Sequence, residues 1–169
     1  MNKFRQLGGE FEVLDHGIRF ARAASVLQPV VIETDVYPGF RTDWQQPFVV
    51  ALTQAAGVSI VHETVYENRF GYTSALNRMG ANIQLHRECL GGKRCRFGQR
   101  NHLHSAVIAG HTPLEGAEVY VPDLRAGFSY VIAALAAEGR SIVGNVQLIR
   151  RGYEDLPMKL QSLGAHIEF

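Results

Sequence analysis

The sequence predicts an α/β domain assembled from repeated units, and three observations carry that reading. One stretch of chain recurs, two helical stretches are apolar on every side, and several short segments alternate in period two. A length of 169 residues, 46% hydrophobic and 20% charged, suits one well-buried core, so a single domain is the default.

Setting Gly57 to Met79 beside Gly139 to Leu163 aligns GVSIV with GRSIV, Arg69 with Arg151, Gly71-Tyr72 with Gly152-Tyr153, and MGANI with LGAHI, at an offset of about 82 residues. Matching over a fixed period marks a duplicated supersecondary unit. Each copy reads as an apolar helix, a glycine, a strand, a loop carrying an arginine, an amphipathic helix ending in Gly-Ala, and further strands. QLGG near Met1 matches the end of that amphipathic helix. The chain is therefore expected to open partway through a repeat, with upstream sequence in another chain or cut away.

Along the chain, EFEVL and GIRFAR alternate and turn at Asp15-His16-Gly17, which predicts a hairpin. NIQLHR, SAVIAG and AEVYV read as further strands. FVVALTQAA and FSYVIAALAA have no polar face, so both helices are expected inside the domain, side by side, with their N-termini at one end. Thr42 or Asp43 can cap the first, whose start Pro47 limits to about a turn upstream, and Asp123 can cap the second. The last amphipathic helix shows a buried-type stripe at Tyr153, Leu156, Leu160 and Leu163, and Gly80 and Gly164 stand where C-terminal caps belong.

The segment HRECLGGKRCRFGQRNHLH is expected as an exposed hairpin or loop. Its Cys89 and Cys95 have five residues between them, which is not a usual zinc spacing. His86, His102 and His104 keep a metal site open, but two reduced thiols are the preferred reading. A formal net charge of +1 supplies no field to recruit nucleic acid or an anionic membrane, which points to small-molecule partners. With no membrane-length apolar run and no apolar core at the N-terminus, a cytoplasmic protein is expected.

The loops YPGFRTDWQQP and VPDLRAGF lead into the two apolar helices. A helix N-terminus presents unsatisfied N–H groups and about half a positive charge, which suits an anion. Arg125 adds a five-donor fork beside one of them, and Arg151 can join if the loops meet, with Arg69 as its counterpart in the other copy. Among such cations Asp43 or Asp123 can serve as general base to a hydroxyl-bearing ligand. Simple capping by the two aspartates and solvated arginines are the plain alternative. The residues by themselves lead as far as a two-carboxylate, two-arginine anion pocket.

YPGFRTDWQQPFV, ETVYENRFGY, HSAVIAGHTPLEGAEVYVPDLRAGFSYVIAALAAEG and IRRGYEDLPMKLQSLGAHIE resemble, in order and through nearly the whole chain, the enolpyruvyl transferase family. Within it they resemble the C-terminal portion of the UDP-N-acetylglucosamine 1-carboxyvinyltransferases. The resemblance implies an inside-out α/β barrel of repeated βαβαββ units, with apolar helices buried and sheets outside. On it, residues 1–169 form a single partial domain of roughly two units, about 7–80 and 80–164, with the N-terminal part of the family's chain missing. It implies transfer of enolpyruvyl from phosphoenolpyruvate to the 3-hydroxyl of UDP-N-acetylglucosamine, a step of peptidoglycan precursor synthesis, without metal or organic cofactor.

By the same resemblance Asp43 contacts the sugar nucleotide and is the favoured base, and Val65 binds that substrate. Asp123 and Arg125 stand for the acid and arginine of a second active-site loop, and Arg151 for the arginine that grips phosphoenolpyruvate. The family's N-terminal lysine-asparagine pair and its loop cysteine or aspartate have no counterpart here, and Cys89 and Cys95 do not fill that role. His111 stands where the family usually has proline. Alone, the chain is expected to be inactive. The competing expectations are a non-catalytic truncated paralogue or half-domain that binds a sugar nucleotide or a partner domain, and the shikimate-pathway enolpyruvyl transferase, whose characteristic loops are absent.

Overall fold

A computed structural model describes residues 1–92 and 95–168. Its elements run α1 (Asn2–Leu7), β1 (Gly9–Leu14), β2 (Gly17–Arg22), β3 (Val31–Glu33), α2 (Thr42–Thr53), β4 (Gly57–His62) and α3 (Thr73–Arg78). They continue with β5 (Asn82–His86), β6 (Ser105–Gly110), β7 (Glu118–Tyr120), α4 (Leu124–Ala136), β8 (Ile142–Gly144), α5 (Gln147–Arg150) and α6 (Leu156–Ser162). The α/β class is as the sequence predicts.

The duplication is visible in the pairing. β3 and β4 lie parallel across α2, and β7 and β8 lie parallel across α4. The antiparallel pair β1–β2 follows α1, and the antiparallel pair β5–β6 follows α3. Leu14 faces Gly17, so Asp15 and His16 alone make the first hairpin's turn. β3, β4, β6 and β5 form one four-stranded sheet, and the other two sheets have two strands each; none closes among the described residues. No described helix is long and apolar enough to cross a membrane.

Helix α2 is interior, as its all-round apolarity requires: Val49, Val50 and Leu52 are buried with Ile32, Val61 and Ile108 of the sheet. Helix α4 packs against α2 and buries Ala126, Tyr130 and Ala133, but its opposite face is open. There Val131, Ala134 and Leu135 line an open groove of about 760 Å³ with Ile142, Leu156 and Leu160. The stripe of α6 is only partly covered: Tyr153 and Leu156 are half-buried against the core, while Leu163 is 83% exposed. Its counterpart α3 buries Ala75 and Leu76. The difference lies in what faces each helix, since among the described residues β8 pairs only with β7 whereas α3 has a four-stranded sheet beside it.

Both amphipathic helices end in the same motif. Gly80 donates to Asn77 O and Ala81 to Leu76 O; Gly164 donates to Gln161 O and Ala165 to Leu160 O. This is the paired bonding that follows a helix when the next residue turns left-handed, and φ is +96° at Gly80 and +95° at Gly164. Gly8, closing α1, has φ +110°. At Gly80 an added Cβ would also sit 3.1 Å from Pro113 O, whereas nothing lies within 4 Å at Gly164. Gly164→Ala should therefore cost about 1 kcal/mol through its backbone alone, and Gly80→Ala about 1–2 kcal/mol more than that. Urea unfolding of the two variants checks the order, and equal midpoints would contradict it.

Candidate active site

The site is organised around a carboxylate that the sequence does not advertise. Glu63, just past β4, is fully buried. Its Oε1 accepts from Thr34 Oγ1 at 2.8 Å, Val65 N at 2.8 Å and Tyr66 N at 2.9 Å. Its Oε2 accepts from Thr42 Oγ1 at 2.9 Å and Gln45 Nε2 at 3.3 Å. Gln45 in turn accepts from Tyr72 Oη at 3.0 Å. Five donors from the end of β3, the first turn of α2 and the loop after β4 thus converge on one charge, which is how a buried carboxylate is made tolerable.

Thr42 is consequently engaged with Glu63 and does not cap α2. The helix starts at Thr42, five residues before Pro47, with Arg41 at the N-cap and no side-chain cap. Asp43 does not cap either: its Oδ1 accepts from Arg69 Nη2 at 2.7 Å and lies 4.0 Å from Arg125 Nε. The reason is local supply, since Arg69 is buried and needs a counter-charge. Its Nε is also buried and has no hydrogen-bond partner among the described residues, leaving a donor for an added acceptor. Both guanidiniums also lie near the ring of Tyr66, with Arg69 Cζ 5.3 Å and Arg125 Cζ 5.4 Å from its centroid.

Asp123 does cap α4, accepting from Arg125 N at 2.8 Å and Ala126 N at 3.0 Å. Val65 is half-buried, its N–H held by Glu63 and its carbonyl accepting from Arg96. Arg151 is exposed and forms no ion pair with Asp43 or Asp123. Its loop nonetheless sits against the start of α4: a Cβ on Gly152 would lie 2.8 Å from Leu124 Cδ1, and Tyr153 stacks on Phe128 at 5.0 Å. Of the expected constellation, Asp43 and Arg125 come together, Asp123 turns to its own helix, and Arg151 stays apart. Glu63, Tyr66 and Arg69 were missing from it, and only Arg69 had left a signal, by aligning with Arg151.

A helix start without a side-chain cap, two guanidiniums and an aspartate can hold an anionic ligand and accept a proton from its hydroxyl. The fold is that of an enolpyruvyl-transferase-type domain, and the chain belongs to the EPSP synthase (3-phosphoshikimate 1-carboxyvinyltransferase) family, whose model matches residues 1–160. More particularly, it is 54% identical over 167 residues to the UDP-N-acetylglucosamine 1-carboxyvinyltransferase of Protochlamydia amoebophila and 52% identical over 168 residues to that of Chlamydia abortus. These matches cover 99% of this chain but 36% and 38% of the relatives, so the chain spans little more than a third of their length.

Among solved structures, the enolpyruvyl transferase NikO from Streptomyces tendae superposes with a TM-score of 0.82 at 25% identity, covering 99% of this chain and 35% of that one. An EPSP synthase from Acinetobacter baumannii shares the fold, with a TM-score of 0.60 at 17% identity over 99% of this chain and 36% of that one. The family is thus the one the sequence motifs resembled. Its model carries the shikimate enzyme's name, whereas these curated relatives carry the sugar-nucleotide enzyme's.

Removing the central carboxylate tests the geometry directly. Glu63→Ala leaves five donors facing a void and should cost about 3–5 kcal/mol. Glu63→Gln keeps an acceptor for Oε1's three donors and should cost about 1–2 kcal/mol. Denaturant midpoints check the pair; a Glu63→Ala protein as stable as wild type would show that the network carries no weight.

Proposed function

We propose that this chain is the C-terminal part of a cytoplasmic enzyme that transfers enolpyruvyl from phosphoenolpyruvate to the 3-hydroxyl of UDP-N-acetylglucosamine. The observation that carries the reading is the Asp43–Arg69–Arg125 cluster at the start of an interior helix, in a chain more than half identical to enzymes named for that reaction. On this reading, the two repeats at about 7–80 and 80–164 belong to an inside-out barrel. The family's N-terminal domain supplies the opposite wall of the cleft.

The chemistry asks for a base at the sugar hydroxyl and cations at the phosphate and carboxylate of the donor. Asp43 takes the hydroxyl proton as the oxygen adds to C2 of phosphoenolpyruvate and C3 gains a proton. The resulting tetrahedral adduct loses C3–H and phosphate, which restores the double bond and leaves the enolpyruvyl ether. Both Asp43 ion pairs use Oδ1, so Oδ2 is the oxygen assigned to the hydroxyl. Arg125 and the buried Nε of Arg69 face the anionic groups, and Arg151 reaches the phosphate when its own loop between α5 and α6 adjusts. Asp123 acts through its cap, fixing the backbone from which Arg125 projects.

The test is a chimaera in which this chain replaces the matching segment of the Protochlamydia amoebophila relative. It should release phosphate from phosphoenolpyruvate only when UDP-N-acetylglucosamine is present. Asp43→Asn should lower kcat by about 10²–10⁴-fold, and Arg151→Ala should raise KM for phosphoenolpyruvate. Turnover with shikimate 3-phosphate, or an Asp43→Asn chimaera as fast as its parent, would overturn the assignment. The 169-residue chain by itself should release none.

A further inference from the structure

We propose that His62, Cys89, Cys95 and His104 bind one zinc-like divalent transition-metal ion, and that this ion fastens the 87–104 insertion to the strand leading into the candidate active site. The ligand atoms of the four residues all lie within 4.8 Å of one another. Around a tetrahedral ion with metal–sulfur bonds of about 2.3 Å and metal–nitrogen bonds of about 2.0 Å, such atoms are about 3.3–3.8 Å apart. Closing onto an ion therefore needs shifts of the order of 1 Å or less. Cys89 Sγ already lies 3.3 Å from His104 Nε2 and 3.1 Å from Cys95 Sγ. Two thiolates and two neutral imidazoles would balance a dication, and this set is a usual structural zinc shell.

The surroundings fit ligation better than they fit two idle thiols. His104 is 1% exposed, and its Nδ1 meets His102 O at 2.9 Å. A carbonyl only accepts, so the proton sits on Nδ1 and the Nε2 lone pair is turned to the sulfurs, as in a metal-bound histidine. His62 is fully buried, yet neither ring nitrogen has a hydrogen-bond partner among the described residues. Its Nδ1 faces Glu33 Oε2 at 3.6 Å, while Glu33 Oε1 accepts from Gly92 N at 3.0 Å. That leaves Nε2 for an ion and supplies the carboxylate that commonly orients a ligating imidazole from behind.

The insertion is shaped to close over this ring. A Cβ at Gly91 would fall 2.2 Å from His62 Nδ1, so only glycine permits the approach. Phe97 is fully buried, with its ring 5.9 Å from that of His104, and forms an apolar wall. His86 and His102 are turned elsewhere, toward Glu88 and Asn68.

An ion here would act on the neighbouring loop. His62 directly precedes Glu63, and the insertion reaches across to the loop that follows. Arg96 donates to Val65 O, Arg100 Nη1 lies 3.2 Å from Glu67 Oε1, and His102 Nδ1 bonds Asn68 Oδ1 at 3.2 Å. A filled site thus makes His62, Cys89, Cys95 and His104 positioning residues for Val65 and Arg69.

The 169-residue chain, purified with a phosphine reductant and zinc and then desalted, should retain one zinc per chain. Cobalt(II) in its place should give the visible bands of a tetrahedral site and a thiolate charge-transfer band. Cys89→Ser and Cys95→Ser should weaken retention by more than about 100-fold, Glu33→Gln by about 10–100-fold, and His86→Ala not at all. Circular dichroism of each variant keeps loss of ligation distinct from loss of fold. Chelation should speed limited proteolysis within 63–69 and 87–104 together.

A reduced, folded chain that retains no metal, an octahedral cobalt spectrum, or a Cys89–Cys95 disulfide whose reduction restores no binding would overturn the site. Proteolysis indifferent to chelator would overturn its bracing role.

Discussion

The structure of the candidate site depends on one buried negative charge. Glu63 has no exposed surface, and it is stable there because threonine hydroxyls, a glutamine amide and two backbone N–H groups all donate to it. Those donors belong to β3, α2 and the loop after β4, three pieces of chain far apart in sequence. Satisfying the charge brings them to one point. From that point Thr42 sets where α2 begins, Asp43 follows one residue later, and the loop is anchored at Val65 and Tyr66 before it delivers Arg69. The ion pair at 2.7 Å between Arg69 and Asp43 is a consequence of this convergence.

The sequence was most legible where structure is decided locally. The Asp15-His16 turn follows from alternation on either side of it, the Asp123 cap from a carboxylate two residues ahead of free N–H groups, and the left-handed glycines from their place after each helix. The interior position of α2 follows from a helix with no polar face. Burial of α4 and α6 did not follow in the same way, because periodicity says which residues share a face but not whether anything covers it. Val131, Leu135 and Leu160 share such faces and line the open groove, and Leu163 is exposed.

Chemistry that depends on distant partners was the least legible. Nothing in the string HET distinguishes Glu63 from a surface glutamate, since its five donors lie up to 29 residues away. His62 was equally silent: a spacing rule applied to the cysteine segment sees His86, His102 and His104, but β4 pairs with β6 and brings His62 beside His104 instead. Whether Arg151 joins the cluster depends on two loops meeting in space, which the sequence does not decide; its loop packs against Leu124 instead.

The two hairpins show what duplication allows. β1 and β2 are joined by two residues, whereas the equivalent β5 and β6 are joined by the eighteen between His86 and Ser105. Both pairs keep an unbroken antiparallel ladder, so the scaffold accepts a long excursion at this corner without altering its register. A module copied within one chain therefore carries vacant ground for elaboration: one copy can stay minimal while its sibling acquires cysteines, histidines and a buried phenylalanine. Novelty in this architecture can accumulate at the tips of its hairpins while the strands beneath stay as they were.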